Sequence, residues 1–236
     1  MDVLKMALTE WNISCDDEKL QKLNQYMEGV LAWNQRVNLT AITDREEFLV
    51  KHFLDSLVCL RFDEYKTAGK IIDVGTGAGF PGVPLAVFSP EKNFVLMDSL
   101  QKRLKIIDQL AAEAGIPNVK TVHARAEELA RTKEHRQQYD LCVSRAVANL
   151  TVLAEYCLPF VKPGGYFFAY KGPGGEEELE DAKKALEILG GKFLRAEDWT
   201  LSKFSMDHKI FIIKKIKETP SKYPRKAGTP AKEPLK

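Results

Sequence analysis

Cysteine and histidine are scarce, with four of each in 236 residues. The cysteines stand at 15, 59, 142 and 157; no two are two residues apart, and no histidine falls at ligand spacing beside them. A zinc site and a disulfide framework are therefore not expected, and the thiols read as reduced small hydrophobes. No apolar run approaches the roughly 18 residues that span a bilayer. The first residues carry Asp2, Lys5 and Glu10, not the basic-then-apolar layout of a secretory signal. Together these absences point to a cytoplasmic protein with no membrane partner. Internal repeats are also missing.

The residues that are there suit one domain with additions. Hydrophobic residues make up 44% and charged residues 29%, enough for a sizeable core in a water-soluble chain. The net charge of +2 is unevenly spread. Between Lys214 and Lys236 stand eight Lys or Arg against two acids, so a basic tail follows a mildly acidic body. Such a tail suits a polyanionic partner or serves solubility, and charge alone does not choose.

Three segments are expected. Residues 1–68 read as helices: Leu20, Leu23, Met27, Val30 and Leu31 recur at helical spacing, and Asp44 with Glu47 resembles a capping box. From 69 to 217 short apolar runs alternate with helical stretches. Strands are expected at 70–74, 93–97, 119–122, 141–143 and 165–170, with Ser99 capping the helix after the second. Alternation of this kind gives an α/β fold with a parallel sheet and helices on both faces. The runs 193–199 and 209–215 have no helix between them, so they form an antiparallel pair. Five parallel strands and then such a pair is the layout of the class I, Rossmann-like methyltransferase fold. Residues 218–236, rich in Pro, Lys and Gly, read as a flexible tail.

The strongest motif is Ile71-Ile-Asp73-Val-Gly75-Thr-Gly77-Ala-Gly79-Phe80. A strand runs into glycines that open a helix, where a ligand can approach the backbone closely and exposed N–H groups can bind its polar edges. Gly77-Ala-Gly79-Phe-Pro-Gly82 also satisfies G-x-G-x-x-G, so an NAD-type oxidoreductase competes. Asp73 argues for S-adenosylmethionine, because an acid before the first glycine suits the methionine amino group better than a pyrophosphate. Pro81 and Pro84 stiffen a segment that would have to present amides to phosphate. Asp98, beside Ser99, ends the second strand and can accept hydrogen bonds from a ribose, which serves either cofactor. Ala126 and Glu127 follow the third strand, where this fold edges the adenine; Glu127 is equally a first-turn helix acid.

The loop after the fourth strand bears on the reaction. Ser144-Arg145-Ala146 replaces the proline-rich motif of exocyclic-amine methyltransferases, and neither Cys142 nor Cys157 follows a proline. A ring nitrogen with a free lone pair, such as guanine N7, needs neither device. Arg145 can hold the cofactor carboxylate or the target base, or can be a surface ion pair.

These residues resemble the bacterial 16S ribosomal RNA (guanine-N7) methyltransferase G family, also called glucose-inhibited division protein B. The likeness runs through Trp33-Asn34 with Asn38-Leu-Thr40, His52 with Asp55-Ser56, and Asp73-Val-Gly-Thr-Gly-Ala-Gly-Phe-Pro-Gly82. It continues through Asp98-Ser-Leu-Gln-Lys102-Arg103, Arg125-Ala-Glu127, Ser144-Arg145-Ala146, Lys171-Gly172 and Lys222-Tyr-Pro-Arg-Lys-Ala-Gly-Thr-Pro230. The resemblance implies a monomer that methylates N7 of one guanine near the decoding centre of 16S ribosomal RNA, free or in a small-subunit particle. It implies cofactor contacts at Gly75, Phe80, Ala126, Glu127 and Arg145, with Asp98 at the ribose; Asp73, Gly77 and Ser99 join them from the motif reading. It places Lys102, Arg103, Arg145 and Lys171 near the RNA, to which the basic tail would add Arg225 and Lys226. Arg145 is the candidate catalytic residue. His52, Asp55 and Ser56 share one helical face; they line the mouth or tie the N-terminal helices to the sheet.

Overall fold

The computed structural model describes residues 1–145, 147–172, 175–201 and 204–235. The N-terminal helices are α1 (Asp2–Glu10), α2 (Asp17–Asn34) and α3 (Arg45–Phe48). Asp16 Oδ1 caps α2 by accepting from Lys19 N at 2.8 Å, and Asp44 Oδ1 caps α3 through Glu47 N at 2.9 Å. The chain then runs as π-helix over Leu49–Leu54 and into α4 (Asp55–Leu57). A 3-10 turn, Val58–Arg61, leads to α5 (Asp63–Lys66).

The sheet begins at β1 (Lys70–Val74) and continues through α6 (Gly82–Phe88), β2 (Asn93–Asp98), α7 (Gln101–Glu113), β3 (Val119–His123) and α8 (Ala126–Leu129). Next come β4 (Tyr139–Arg145), α9 (Leu150–Cys157), β5 (Val161–Lys171), α10 (Gly175–Leu189), β6 (Gly191–Leu201) and β7 (Phe204–Lys215). Among the described residues the strands form one sheet in the order β3-β2-β1-β4-β5-β7-β6. Strands β1 to β5 are parallel, while β7 pairs antiparallel with both β5 and β6. This is the expected layout.

Alternation along the strands builds two cores. Ile71, Phe94, Leu96, Phe168, Ile210 and Ile212 face the N-terminal helices, α6 and α7. Ile72, Val74, Phe167, Phe211 and Ile213 face α8, α9 and α10. Residues 1–68 thus share one continuous core with the sheet.

Two expectations are corrected. Ser99 does not cap α7; the side chain at that turn is Asp98, whose Oδ1 accepts from Leu100 N at 2.9 Å. The segment after 218 is not a free tail. Tyr223 is buried against the second core, helix α11 (Thr229–Lys232) follows, and Arg136 donates to the carbonyls of Thr219 at 2.7 Å and Tyr223 at 2.8 Å. Captured carbonyls and the buried Tyr223 together hold it down. Ala146 and Lys236 lie outside the described residues. Among the described residues no helix is long and apolar enough to cross a membrane.

Candidate active site

The carboxyl ends of β1, β2 and β4 open onto a cavity of about 570 Å³, where ligands bind in open α/β sheets. Gly75, Gly77, Phe80, Asp98, Ser99, Ala126, Glu127 and Arg145 all line it, as does Arg103. Gly75 and Gly77 take left-handed φ values of 74° and 61°, which glycine tolerates without strain. A Cβ on Gly75 would sit 2.5 Å from Val147 Cγ2, whereas one on Gly77 would meet nothing within 4 Å. The backbone at Gly77 therefore presents an open face.

Asp73 is placed differently from expectation. It does not line the cavity; it lies fully buried beneath the turn. Its Oδ2 accepts from Thr76 Oγ1 at 2.6 Å and Gly82 N at 2.9 Å, pinning the loop to the start of α6. Its Oδ1 has no hydrogen-bond partner among the described residues. Burial pushes the carboxyl up to about 6, against the hydrogen bonds from Thr76 and Gly82.

The turn amides are also corrected. Gly75 N and Thr76 N both donate to Met97 O, at 2.9 and 3.0 Å, and Gly79 N and Phe80 N both donate to Thr76 O. Gly77 N donates to Asp98 Oδ2 at 3.0 Å. These N–H groups serve the loop itself and are not offered to a ligand. A pyrophosphate cradle needs them free, so the geometry disfavours a dinucleotide. S-adenosylmethionine fits better. It asks for an open backbone face at Gly77 and for acceptors at Asp98 and Glu127, and each lines the cavity.

Arg145 is embedded. Its Nη1 donates to Asp55 Oδ2 at 2.7 Å and Lys51 O at 2.9 Å, and its Nη2 to His52 Nδ1 at 2.9 Å. Asp55 Oδ1 in turn accepts from His208 Nδ1 at 2.9 Å and Trp199 Nε1 at 3.2 Å. Burial would raise the Asp55 carboxyl, but the His208 hydrogen bond and the Arg145 charge hold it below the usual carboxylate value. His52 Nε2 lies 2.7 Å from Thr40 Oγ1. Burial and the Arg145 charge push His52 down to about 3, so its ring is neutral. Ser56 Oγ donates to His52 O, and Ser56 O accepts from Tyr170 Oη at 2.9 Å. Asp55 and Ser56 thus tie the N-terminal helices to the sheet, while His52 also lines the cavity. Phe80 is packed rather than offered for stacking: His52 covers one face at 4.4 Å and 5° from parallel, and Tyr26, Phe48 and Phe53 meet the ring at steep angles.

A second cavity of about 640 Å³ adjoins the first and shares His52, Arg145 and Val147 with it. Lys171 and Glu178 line it, with Lys171 Nζ donating to Ala148 O at 2.8 Å and pairing with Glu178 at 2.5 Å. Of the other basic residues singled out, Lys102 and Lys226 are exposed, and Arg103 faces Asp98 at 3.9 Å. Arg225 is committed elsewhere, bound through Nη2 to the buried Glu155 at 2.7 Å. Sequence reasoning missed Gly228 and Ala231, which line the first cavity from the C-terminal segment. No spacing signal could have found them.

A family model described as GidB, rRNA small subunit methyltransferase G, matches residues 19–202. Proteins named ribosomal RNA small subunit methyltransferase G agree. The one from Alkaliphilus metalliredigens is 49% identical over 99% of this chain and 98% of its own length. The one from Clostridium tetani is 46% identical over 100% and 98%. The chain belongs to this family. Membership makes it an S-adenosylmethionine-dependent methyltransferase. Among solved structures, a 16S rRNA (adenine(1408)-N(1))-methyltransferase mutant with cosubstrate SAM from Catenulisporales acidiphilia aligns with TM-score 0.52 at 16% identity. It covers 66% of this chain and 88% of that one, a likeness of fold alone.

Proposed function

We propose that the chain transfers a methyl group to N7 of one guanine in 16S ribosomal RNA, as a monomer in the cytoplasm, with residues 69–217 as the catalytic domain. The observation that carries the reading is the pair of cavities meeting at His52 and Arg145. The first suits the cofactor, which when bound supplies an electrophilic methyl group on a sulfonium. The second suits the base. Asp55 and Arg145 in its wall are paired with each other, so Glu178 and Lys171 are the acid and the cation that suit a guanine's donor and acceptor edges.

N7 carries no proton, so the site needs no general base. The histidine at the junction has both ring nitrogens engaged, by Arg145 and Thr40, in keeping with that. The chain's contribution is alignment and exclusion of water. Arg145, fixed by Asp55, Lys51 O and His52, is the positioned cation at the junction, while Lys102, Arg103, Lys171 and Lys226 face the RNA. A guanine in folded RNA must be splayed out to enter.

The test is methyl transfer from labelled S-adenosylmethionine to small-subunit RNA lacking the modification, with the product nucleoside mapped. N7-methylguanosine at one position is the expected product. An unchanged modification profile overturns the reading.

A further inference from the structure

The C-terminal segment lies outside the matched 19–202 region, yet it completes the wall of the first cavity. Its course is fixed at several points. Arg131 Nη2 donates to Lys222 O at 3.2 Å and Pro224 O at 2.5 Å. Arg225 grips Glu155 through three donor groups, with Nε shared between both carboxylate oxygens. Its backbone N donates to Oε1 at 2.7 Å, its Nε to Oε1 at 3.0 Å, and its Nη2 to Oε2 at 2.7 Å. Glu155, on α9, is only 1% exposed, so this arginine is the counter-charge that lets it stay there.

Three residues later the segment reaches the cofactor wall. Gly228 N donates to Glu127 Oε1 at 2.8 Å, and Gly228 and Ala231 line the cavity beside Glu127 and Tyr156. Glu127 is itself 5% exposed. A carboxylate on a first helical turn is free to rotate; one with an oxygen held by a fixed amide is not. The other oxygen is then aimed, and an aimed acceptor discriminates between ligand edges far better than a mobile one.

We propose that Glu155 and Arg225 are positioning residues for the cofactor. Their ion pair clamps the C-terminal strap so that the Gly228 amide orients Glu127 toward the amino edge of adenine. Neither touches the cofactor; both act through Gly228 and Glu127. The inference rests on the first cavity holding S-adenosylmethionine.

The test uses the full chain and two probes, S-adenosylhomocysteine and its inosine counterpart, in which the adenine amino group is replaced by a carbonyl. Calorimetry is run on the wild type, Glu155→Gln, Arg225→Gln and the double variant. The wild type should bind the adenosine compound at least about tenfold more tightly, in keeping with one hydrogen bond to a charged group. Each single variant should lose most of that preference by weakening the adenosine compound alone. The double variant should be no worse, because the pair acts as a unit. Folded variants with unchanged preference overturn the inference, and so does equal weakening of both probes.

If a variant does not fold, hydrogen exchange on the wild type decides. The adenosine compound should slow exchange across residues 222–232, and the inosine compound should do so less. Equal protection by both, or none by either where binding is measured, overturns the inference. A wild type that binds neither probe overturns the cofactor placement itself, and this inference with it.

Discussion

Arg145 and Asp55 are paired at 2.7 Å across 90 residues of chain, one on β4 and the other in the N-terminal layer. The same carboxylate receives His208 and Trp199 from the antiparallel pair β6–β7. One buried acid therefore joins three parts of the fold at the junction of the two cavities. Asp55→Ala leaves Arg145 buried without its counter-charge. The expected cost is about 3–5 kcal/mol, measured by urea denaturation, with methyl transfer falling because Arg145 loses its fixed position. A loss under about 1 kcal/mol would show that the pair is not a staple.

His52 gives a pH dependence with a definite sign. Its folded pKa is about 3, below the unfolded value of about 6.5. Between the two the unfolded chain holds the extra proton, so His52's contribution to stability rises with pH, at up to about 1.4 kcal/mol per unit. It is fully present above the unfolded value and is lost as pH falls toward about 3. Asp73 acts in the opposite sense. Its carboxyl is raised to about 6, so the folded chain holds the proton, and its contribution is lost as pH rises through that value. Comparison of wild type with His52→Asn at each pH isolates the first effect. The stability difference should change between about pH 6.5 and 4; a constant difference would mean that His52 does not titrate with folding.

The two cavity glycines should respond differently to the same change. Gly75→Ala combines left-handed backbone with a 2.5 Å approach to Val147, so it is expected to destabilise by more than the roughly 1–2 kcal/mol of backbone strain alone. Gly77→Ala has only the strain, because its Cβ enters open cavity. It should fold well and bind S-adenosylhomocysteine poorly. Normal binding by Gly77→Ala in calorimetry would move the cofactor away from this face.

Asp98 holds Gly77 N with one oxygen and Leu100 N with the other. Asp98→Ala removes two hydrogen bonds to a charged group. It should cost about 1.5–3 kcal/mol in stability and weaken S-adenosylhomocysteine at least about tenfold, with cooperative unfolding retained. Unaltered affinity would take Asp98 out of the site.

The sheet was legible because its signals are local. The expected bounds of β1 match residue for residue, since a short apolar run between Gly69 and Gly75 has few other solutions. The strand pair at 193–199 and 209–215 was readable from the missing crossover alone, though both strands run longer. The docked C-terminal segment was not legible. Its attachment depends on Arg131 and Arg136 seizing backbone carbonyls and on Glu155 meeting Arg225 some 70 residues away, and composition reports none of this. Asp73 was found for its position but misread in its contacts, because a strand acid can face a ligand or fold under the turn, and pattern does not say which.

RNA binding should separate the exposed cations from the committed one. Lys102 and Lys226 are exposed. Alanine at either is expected to weaken RNA binding and to flatten the slope of log affinity against log salt by about 0.7–0.9 for each phosphate no longer neutralised. Binding of S-adenosylhomocysteine should be unaffected. A slope unchanged in both variants would place the RNA on another face.

The ties around the cofactor wall have a kinetic consequence. Glu127 meets Gly228 across 101 residues, and Asp55 meets His208 across 153. Pairings this distant form only after the intervening loops have closed, and loop closure slows folding. The hairpin β6–β7 closes locally, whereas the cavity walls must wait for both ends of the chain. The catalytic chamber is therefore completed late in folding, once both ends of the chain have docked on the sheet.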